Sequence, residues 1–151
     1  MEKLSSKQRR KKSLNAIELF TQHLFVNNKR LSKTISIDIK FHKLGGDTWG
    51  ICDYDEHYTN RPKEFTIYID RRLVSEKDVI MTVAHEMVHV WQYATGKFKD
   101  YVGKPAHRYD DHIYDANMRY RDMPWEIEAR RLERVLFKVW KNNKYTKMEL
   151  K

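Results

Sequence analysis

Residues 75–96 read SEKDVIMTVAHEMVHVWQYATG, and how this stretch folds decides the rest of the chain. Ser75 followed by Asp78 has the spacing of a capping box, with Asp where Glu or Gln is usual, and Gly96 is a natural helix stop. Between them Val79, Ile80, Val83, Ala84, Met87, Val88, Val90 and Trp91 make a helix apolar around most of its girth, which places it at the centre of the fold. His85 and His89 stand four residues apart on it, on one face and one turn from each other, so their imidazoles can converge on a single Zn2+ ion. Glu86 then lies beside the metal, placed to take a proton from a metal-activated water. For this composition HExxH arises by chance in roughly 2% of chains, so context has to carry the reading. Two histidines and a carboxylate are costly to bury in so apolar a helix unless a ligand satisfies them.

A chain of 151 residues with 40% hydrophobic and 13% aromatic residues is long and apolar enough for one folded domain, despite 34% charged residues. No run of about 18 apolar residues is present, and the basic start Lys7–Lys12 leads into an amphipathic segment and not a solid apolar one. That pattern excludes a signal peptide and a membrane span and points to the cytoplasm. The lone Cys52 excludes an intrachain disulfide and reads as a small buried apolar residue. The net charge of +9 sits at the ends. Residues 1–12 carry +5 and residues 138–151 carry +4, which leaves the middle neutral. Such basic tails can touch nucleic acid or an acidic surface, or simply solvate the termini.

Ala16, Ile17, Leu19, Phe20, Leu24 and Phe25 fall at helical spacing, giving a first helix over roughly residues 13–28. Residues 34–42 alternate Ile35, Ile37, Ile39 and Phe41 with polar neighbours, as in a strand with one face buried. Gly45-Gly46-Asp47 is a turn signal before Trp49, Ile51 and Tyr54, so the first two strands read as a hairpin. Residues 55–63, with Pro62, read as a loop, and Phe65, Ile67 and Ile69 mark a third strand. From Lys97 to Met123 the periodicity fades; with Gly103 and Pro105 this reads as a long irregular loop with one helical turn near residues 110–118. Asp122 and Pro124 signal a last helix, striped by Trp125, Ala129, Leu132, Leu136, Val139 and Trp140 to about residue 142. The expected class is α+β over 1–151. It has an N-terminal helix, a mixed or antiparallel sheet of about three strands, the central HExxH helix and a C-terminal helix, with flexible basic tails at about 1–12 and 143–151.

A catalytic zinc site needs a third protein ligand and an open position for water. His107, His112, Glu126, Glu128 and Glu133 are the downstream candidates. At about 3.6 residues per turn, Glu126 and Glu128 flank the apolar stripe on opposite sides, and periodicity does not choose between them.

HEMVHVWQ at 85–92, followed by a loop and PWEIEA at 124–129, resembles the small single-domain zinc metallopeptidases of the gluzincin type, including SprT-like and phage-type metallopeptidases. The resemblance runs over roughly residues 65–135 and implies a zincin-like fold, one Zn2+ ion and a third ligand in an E-x-x-A arrangement, which here is Glu126 with Ala129. Arg130 stands where an acidic residue often follows, leaving the usual outer carboxylate unassigned. In SprT proper the third ligand is a histidine, which would be His107 or His112.

The same resemblance implies a mechanism in which Zn2+ on His85, His89 and Glu126 activates water and Glu86 acts as general base. Tyr109, Tyr114, Arg119, Tyr120 and the loop histidines are candidates for stabilising the oxyanion. It also implies that the strand at 64–70 is the sheet edge on which an extended peptide could pair. The leading expectation is a monomeric zinc peptidase of the cytoplasm, including that of a phage-infected host, acting on a peptide or protein. Its rivals are a DNA-associated protease tethered by the basic tails and a non-catalytic module that keeps the scaffold.

Overall fold

The computed structural model describes residues 2–55, 61–101 and 105–149. Most of the loop expected at 55–63, and Gly103 in the later segment, lie outside the described residues.

Helix α1 spans Ser6–Leu24 and starts earlier than its apolar stripe suggests. Ser5 and Gln8 complete a capping box: the Ser5 hydroxyl accepts from the Gln8 N–H, and the Gln8 side chain accepts from the Ser5 N–H. Leu4 N–H donates to Val74 O at 2.8 Å, Arg9 donates to the carbonyls of Arg71 and Leu73, and Lys12 pairs with Glu76 at 2.9 Å. Residues 6–12, expected in a flexible tail, are therefore the docked first turns of a helix. That helix buries Ala16, Ile17 and Phe20. A single helical turn, α2 (Lys29–Ser32), follows.

Strands β1 (Ser36–His42), β2 (Gly50–Tyr54) and β3 (Glu64–Asp70) form a mixed sheet in the order β1-β3-β2. The expected β1–β2 hairpin is not formed. β3 lies between them, parallel to β1 and antiparallel to β2, so that Ile39, Ile67 and Cys52 share one row. β3 takes the centre because Phe65, Ile67 and Ile69 are its most deeply buried apolar side chains. At its end the buried Asp70 carboxylate accepts from Leu44 N–H, Arg72 N–H and the Arg72 guanidinium. These bonds, led by the Arg72 side chain, hold it well below the usual carboxylate range and fix the turn into the next helix.

α3 (Glu76–Ala94) is the central helix, capped by Ser75 accepting from Asp78 N–H and stopped at Gly96, whose φ is +79°. Val79, Ile80, Val83, Ala84, Met87, Val88 and Val90 are all fully buried. α4 (Pro124–Glu149) packs along it and runs past the expected end near residue 142. Trp140 Nε1 and Lys144 Nζ both donate to the Glu76 carboxylate, which Lys12 also pairs, so one acidic residue at the start of α3 ties α1, α3 and α4 together.

The segment expected to be an irregular loop is a second antiparallel sheet of β4 (Phe98–Asp100), β5 (Ala106–Tyr109) and β6 (His112–Asp115), followed by a 3-10 turn at Tyr120–Asp122. Asp110 and Asp111, with φ of 47° and 67°, join β5 to β6; two consecutive left-handed residues are what a tight primed hairpin turn demands. The sheet stands on Trp125, which stacks on Phe98 at 4.5 Å and meets Tyr109 and Tyr114 edge-on or tilted. The result is an α+β fold with two small three-stranded sheets among the described residues. No helix of the described residues is long and apolar enough to cross a membrane.

Candidate metal centre

α3 presents His85 and His89 one turn apart, with ring centroids 4.9 Å from each other. The first turn of α4 brings Glu126 against both. His85 Nε2 lies 2.9 Å from Glu126 Oε1 and His89 Nε2 lies 3.0 Å from Glu126 Oε2. One ligand atom from each of the three falls within 4.8 Å of the others, a group that could hold a metal ion. Two imidazole nitrogens and a carboxylate oxygen, aimed at one point from two packed helices, fit a borderline divalent cation. Without an ion the site is strongly coupled. Burial alone would lower the His85 pKa, but the hydrogen bonds it donates to Glu126 and Glu133 and the charge of Glu86 raise it to about 10. Burial likewise opposes charge on Glu126, yet the two histidines hold it well below the usual carboxylate range. The surplus of carboxylates gives the pocket a demand for positive charge.

The outer partners of the histidines are set with equal care. Gln92 is fully buried; its Nε2 donates to Trp125 O at 3.0 Å and to Glu128 Oε1 at 2.9 Å, which leaves its Oε1 to accept from His89 Nδ1 at 2.7 Å. Because both amide protons are engaged, the amide has only one sensible orientation, and His89 must carry a proton on Nδ1. Its Nε2 is thereby the atom available to a metal. Glu133 lies 3.4 Å from His85 Nδ1 and does the same for the other ring. Glu133 stands one turn beyond Arg130 on α4.

Glu86 is buried beside the cluster, and its pKa is raised: burial pushes it up, Glu126 and Glu133 add to this, and the two histidines oppose it. It faces Gly50, where a Cβ would sit 2.7 Å from Thr82 Cγ2 and 3.1 Å from Glu86 Oε1, so only glycine lets β2 come this close to the α3 carboxylate. A hollow of about 500 Å³ on one side of the cluster is bounded by Trp49, Gly50, His85, Tyr120 and Glu133. Another, of about 320 Å³, is bounded by Ile51, Cys52, His89, His107 and Glu126. Both hollows touch Gly50, Glu86 and Tyr120, and the smaller one continues along β2 past Ile51 and Cys52.

The other candidates are not part of the three-residue group, although Glu133, His107 and Tyr120 border it. Glu128 is taken by Lys97 and Gln92. His107 Nδ1 bonds Asp100 Oδ1 at 2.7 Å, and His112 is exposed on β6. Tyr109 and Tyr114 pack on Trp125, Arg119 pairs with Asp122, and Tyr120 OH donates to Glu126 Oε1 at 2.7 Å. The strand at 64–70 is not a sheet edge: both its sides are spent on β1 and β2, and among the described residues the edge strand beside the cluster is β2. Gln92 and Gly50 were missed in sequence. Only the i, i+3 spacing of Gln92 from His89 hinted at it.

A model of the SprT-like family matches residues 15–119, which is most of the chain. The chain belongs to the SprT-like family. No curated protein and no solved structure matches it. The SprT-like match contains His85, Glu86, His89 and His107 but ends before Glu126, so the third donor comes from a helix beyond the matched region. Among the described residues, the group that could hold an ion includes Glu126 and neither His107 nor His112.

Proposed function

We propose that this SprT-like protein is a zinc-dependent metallopeptidase with a zincin-like arrangement, hydrolysing peptide bonds in a peptide or protein substrate in the cytoplasm. The observation that carries the reading is the convergence of His85, His89 and Glu126 within 4.8 Å, beside the buried carboxylate of Glu86. Membership of the SprT-like family supports it independently of that geometry.

His85, His89 and Glu126 would hold the ion. A bound zinc supplies a Lewis acid that polarises a carbonyl and makes water nucleophilic near neutral pH. Glu86 takes the proton from the attacking water and delivers it to the leaving amine, a role suited to a carboxylate whose pKa is raised by burial. Glu133 and Gln92 hold the imidazoles in the tautomers that leave Nε2 free. As the edge strand of its sheet among the described residues, β2 is where an extended substrate would lie, passing Gly50 on the way from one hollow to the other. Arg9, Arg10 and Lys12 of the first basic segment make contacts within the protein, and the peptidase reading requires no nucleic-acid tether.

The test is cleavage of a mixed peptide library by zinc-loaded protein. Glu86→Gln should keep its zinc and lose about 100-fold to 10,000-fold in rate. A zinc-loaded wild type without turnover, or a Glu86→Gln variant as fast as wild type, would contradict the reading.

A further inference from the structure

The peptidase reading defines a bond to be cut but not the side chains that flank it. We propose that the hollow of about 500 Å³ beside His85 is the side-chain subsite of that peptidase, and that it takes a bulky apolar residue, aromatic or long aliphatic, next to the bond that is cut. The proposal rests on the peptidase reading and adds the substrate class to it.

Two aromatic residues stand exposed in the wall of this hollow, Trp49 at 42% and Tyr120 at 60%. Met81 and Thr82 of α3, one turn ahead of His85 and Glu86, extend its apolar lining. Thr82 Oγ1 donates to Asp78 O at 2.7 Å, and its methyl is the atom nearest to a Cβ built on Gly50, so the hydroxyl is turned into the helix and the apolar end faces β2. Trp49 is held firmly for an exposed residue. Its carbonyl accepts from Asp70 N–H at 2.9 Å, and the Arg72 guanidinium lies 4.3 Å from its ring centroid. Arg72 is fixed in turn by both oxygens of the buried Asp70 and by Gly46 O. An exposed aromatic surface braced in this way is preorganised to bind, because it loses little freedom when a partner covers it.

The charges around the hollow decide which side chain it takes. Its ionisable rim is Asp47, His85, Glu86 and Glu133. An acidic side chain would meet three carboxylates there, and a histidine that Glu126 and Glu133 already hold. A basic side chain fares no better. Glu133 faces His85, Asp47 lies close enough to Arg72 to favour its charge, and Glu86 is the base of the reaction. The Trp49 ring, on which a cation would stack, already carries Arg72. Tyr120 OH is on Glu126, so its ring and not its hydroxyl is what the hollow presents. The surface left without a partner is apolar, from Trp49, Met81, the Thr82 methyl and the Tyr120 ring, and an uncharged bulky side chain covers it.

The experiment takes a peptide cut in the mixed library and varies only the two residues flanking the cut bond, each in turn to Phe, Leu, Ala, Lys or Glu, with kcat/KM measured for zinc-loaded protein. Wild type should favour Phe and Leu over Ala, Lys and Glu by about 10-fold to 100-fold on one side of the bond. Trp49→Ala should keep its zinc and bring that preference down to about threefold or less. Met81→Glu, which reads the same hollow from α3 should Trp49→Ala fail to fold, should turn the preference towards Lys, because a carboxylate in the wall supplies the partner a cation lacks. A wild type that favours Lys or Glu, or that shows no preference on either side, overturns the proposal and leaves the peptidase reading in place. A folded Trp49→Ala or Met81→Glu protein with the wild-type preference also overturns it. A zinc-loaded wild type that cuts no member of the mixed library removes the peptidase reading and this proposal with it, and is told apart because the failure then lies in the wild type on every peptide.

Discussion

Replacing Gln92 by Leu removes a buried amide that holds three groups at once: His89 Nδ1 at 2.7 Å, Trp125 O at 3.0 Å and Glu128 Oε1 at 2.9 Å. The volume change is small, so the effect is polar. Glu128 keeps its partner Lys97 and loses little. His89 loses its Nδ1 partner among the described residues, and each buried group left unsatisfied costs about 1–3 kcal/mol. For His89 alone, the expected loss of stability is about 1–3 kcal/mol in the metal-free protein. Zinc affinity should fall separately, because His89 is no longer held in the tautomer that frees Nε2; removing such an outer partner weakens metal binding by about 10-fold to 100-fold, or about 1.4–2.7 kcal/mol. Urea unfolding measures the first quantity and competition with a chromophoric chelator the second. Gln92→Glu separates the two: it keeps an acceptor for His89 but loses the donors to Trp125 O and Glu128, so zinc affinity should survive better than stability. A Gln92→Leu protein that binds zinc within about twofold of wild type would refute the reasoning, since the outer shell would then do no work on the ligand.

Gly50→Ala should place a methyl 3.1 Å from both Glu86 Cγ and Glu86 Oε1 and displace the carboxylate, costing about 10-fold to 100-fold in kcat/KM while zinc content stays at wild-type level; steady-state kinetics beside elemental analysis would check this. Glu76 gives a pH signature. Burial opposes its ionisation, but Lys12, Lys144 and the Trp140 indole N–H prevail and bring its pKa to about 2, below the ordinary 4.5. A carboxylate depressed in the folded state contributes stability above its unfolded pKa, and that contribution is lost as pH falls from about 4.5 towards 2. With the group partly exposed, Glu76→Gln should cost about 1 kcal/mol at pH 7, and the Tm gap from wild type should close near pH 2.

What the sequence made legible follows from the range of each signal. α3 was readable end to end, because the Ser75 cap, the apolar girth and Gly96 are all local. The strands at 36–42, 50–54 and 64–70 were readable too, but their pairing was not. Alternation says that a strand buries one face and says nothing about its neighbour, so Gly45-Gly46-Asp47 suggested a hairpin where β3 in fact intervenes. The second sheet was invisible because its strands are three or four residues long and its tight turn uses Asp110-Asp111 in place of the usual Asn-Gly. Trp125 looked like one more stripe residue of α4, whereas it anchors that sheet and thereby fixes the turn that carries Glu126. Two donors of the cluster lay in the motif itself. The third needed the resemblance to choose it over Glu128, and the fold supplies the physical reason: Lys97 and Gln92 draw Glu128 away while Glu126 faces both histidines.

The most direct measurement is the zinc content of the purified, metal-loaded protein, with wild type, Glu126→Ala and His107→Ala side by side. The account predicts one zinc per chain in wild type and in His107→Ala, and none retained in Glu126→Ala. Zinc kept by Glu126→Ala and lost from His107→Ala would contradict it and place the third ligand on β5.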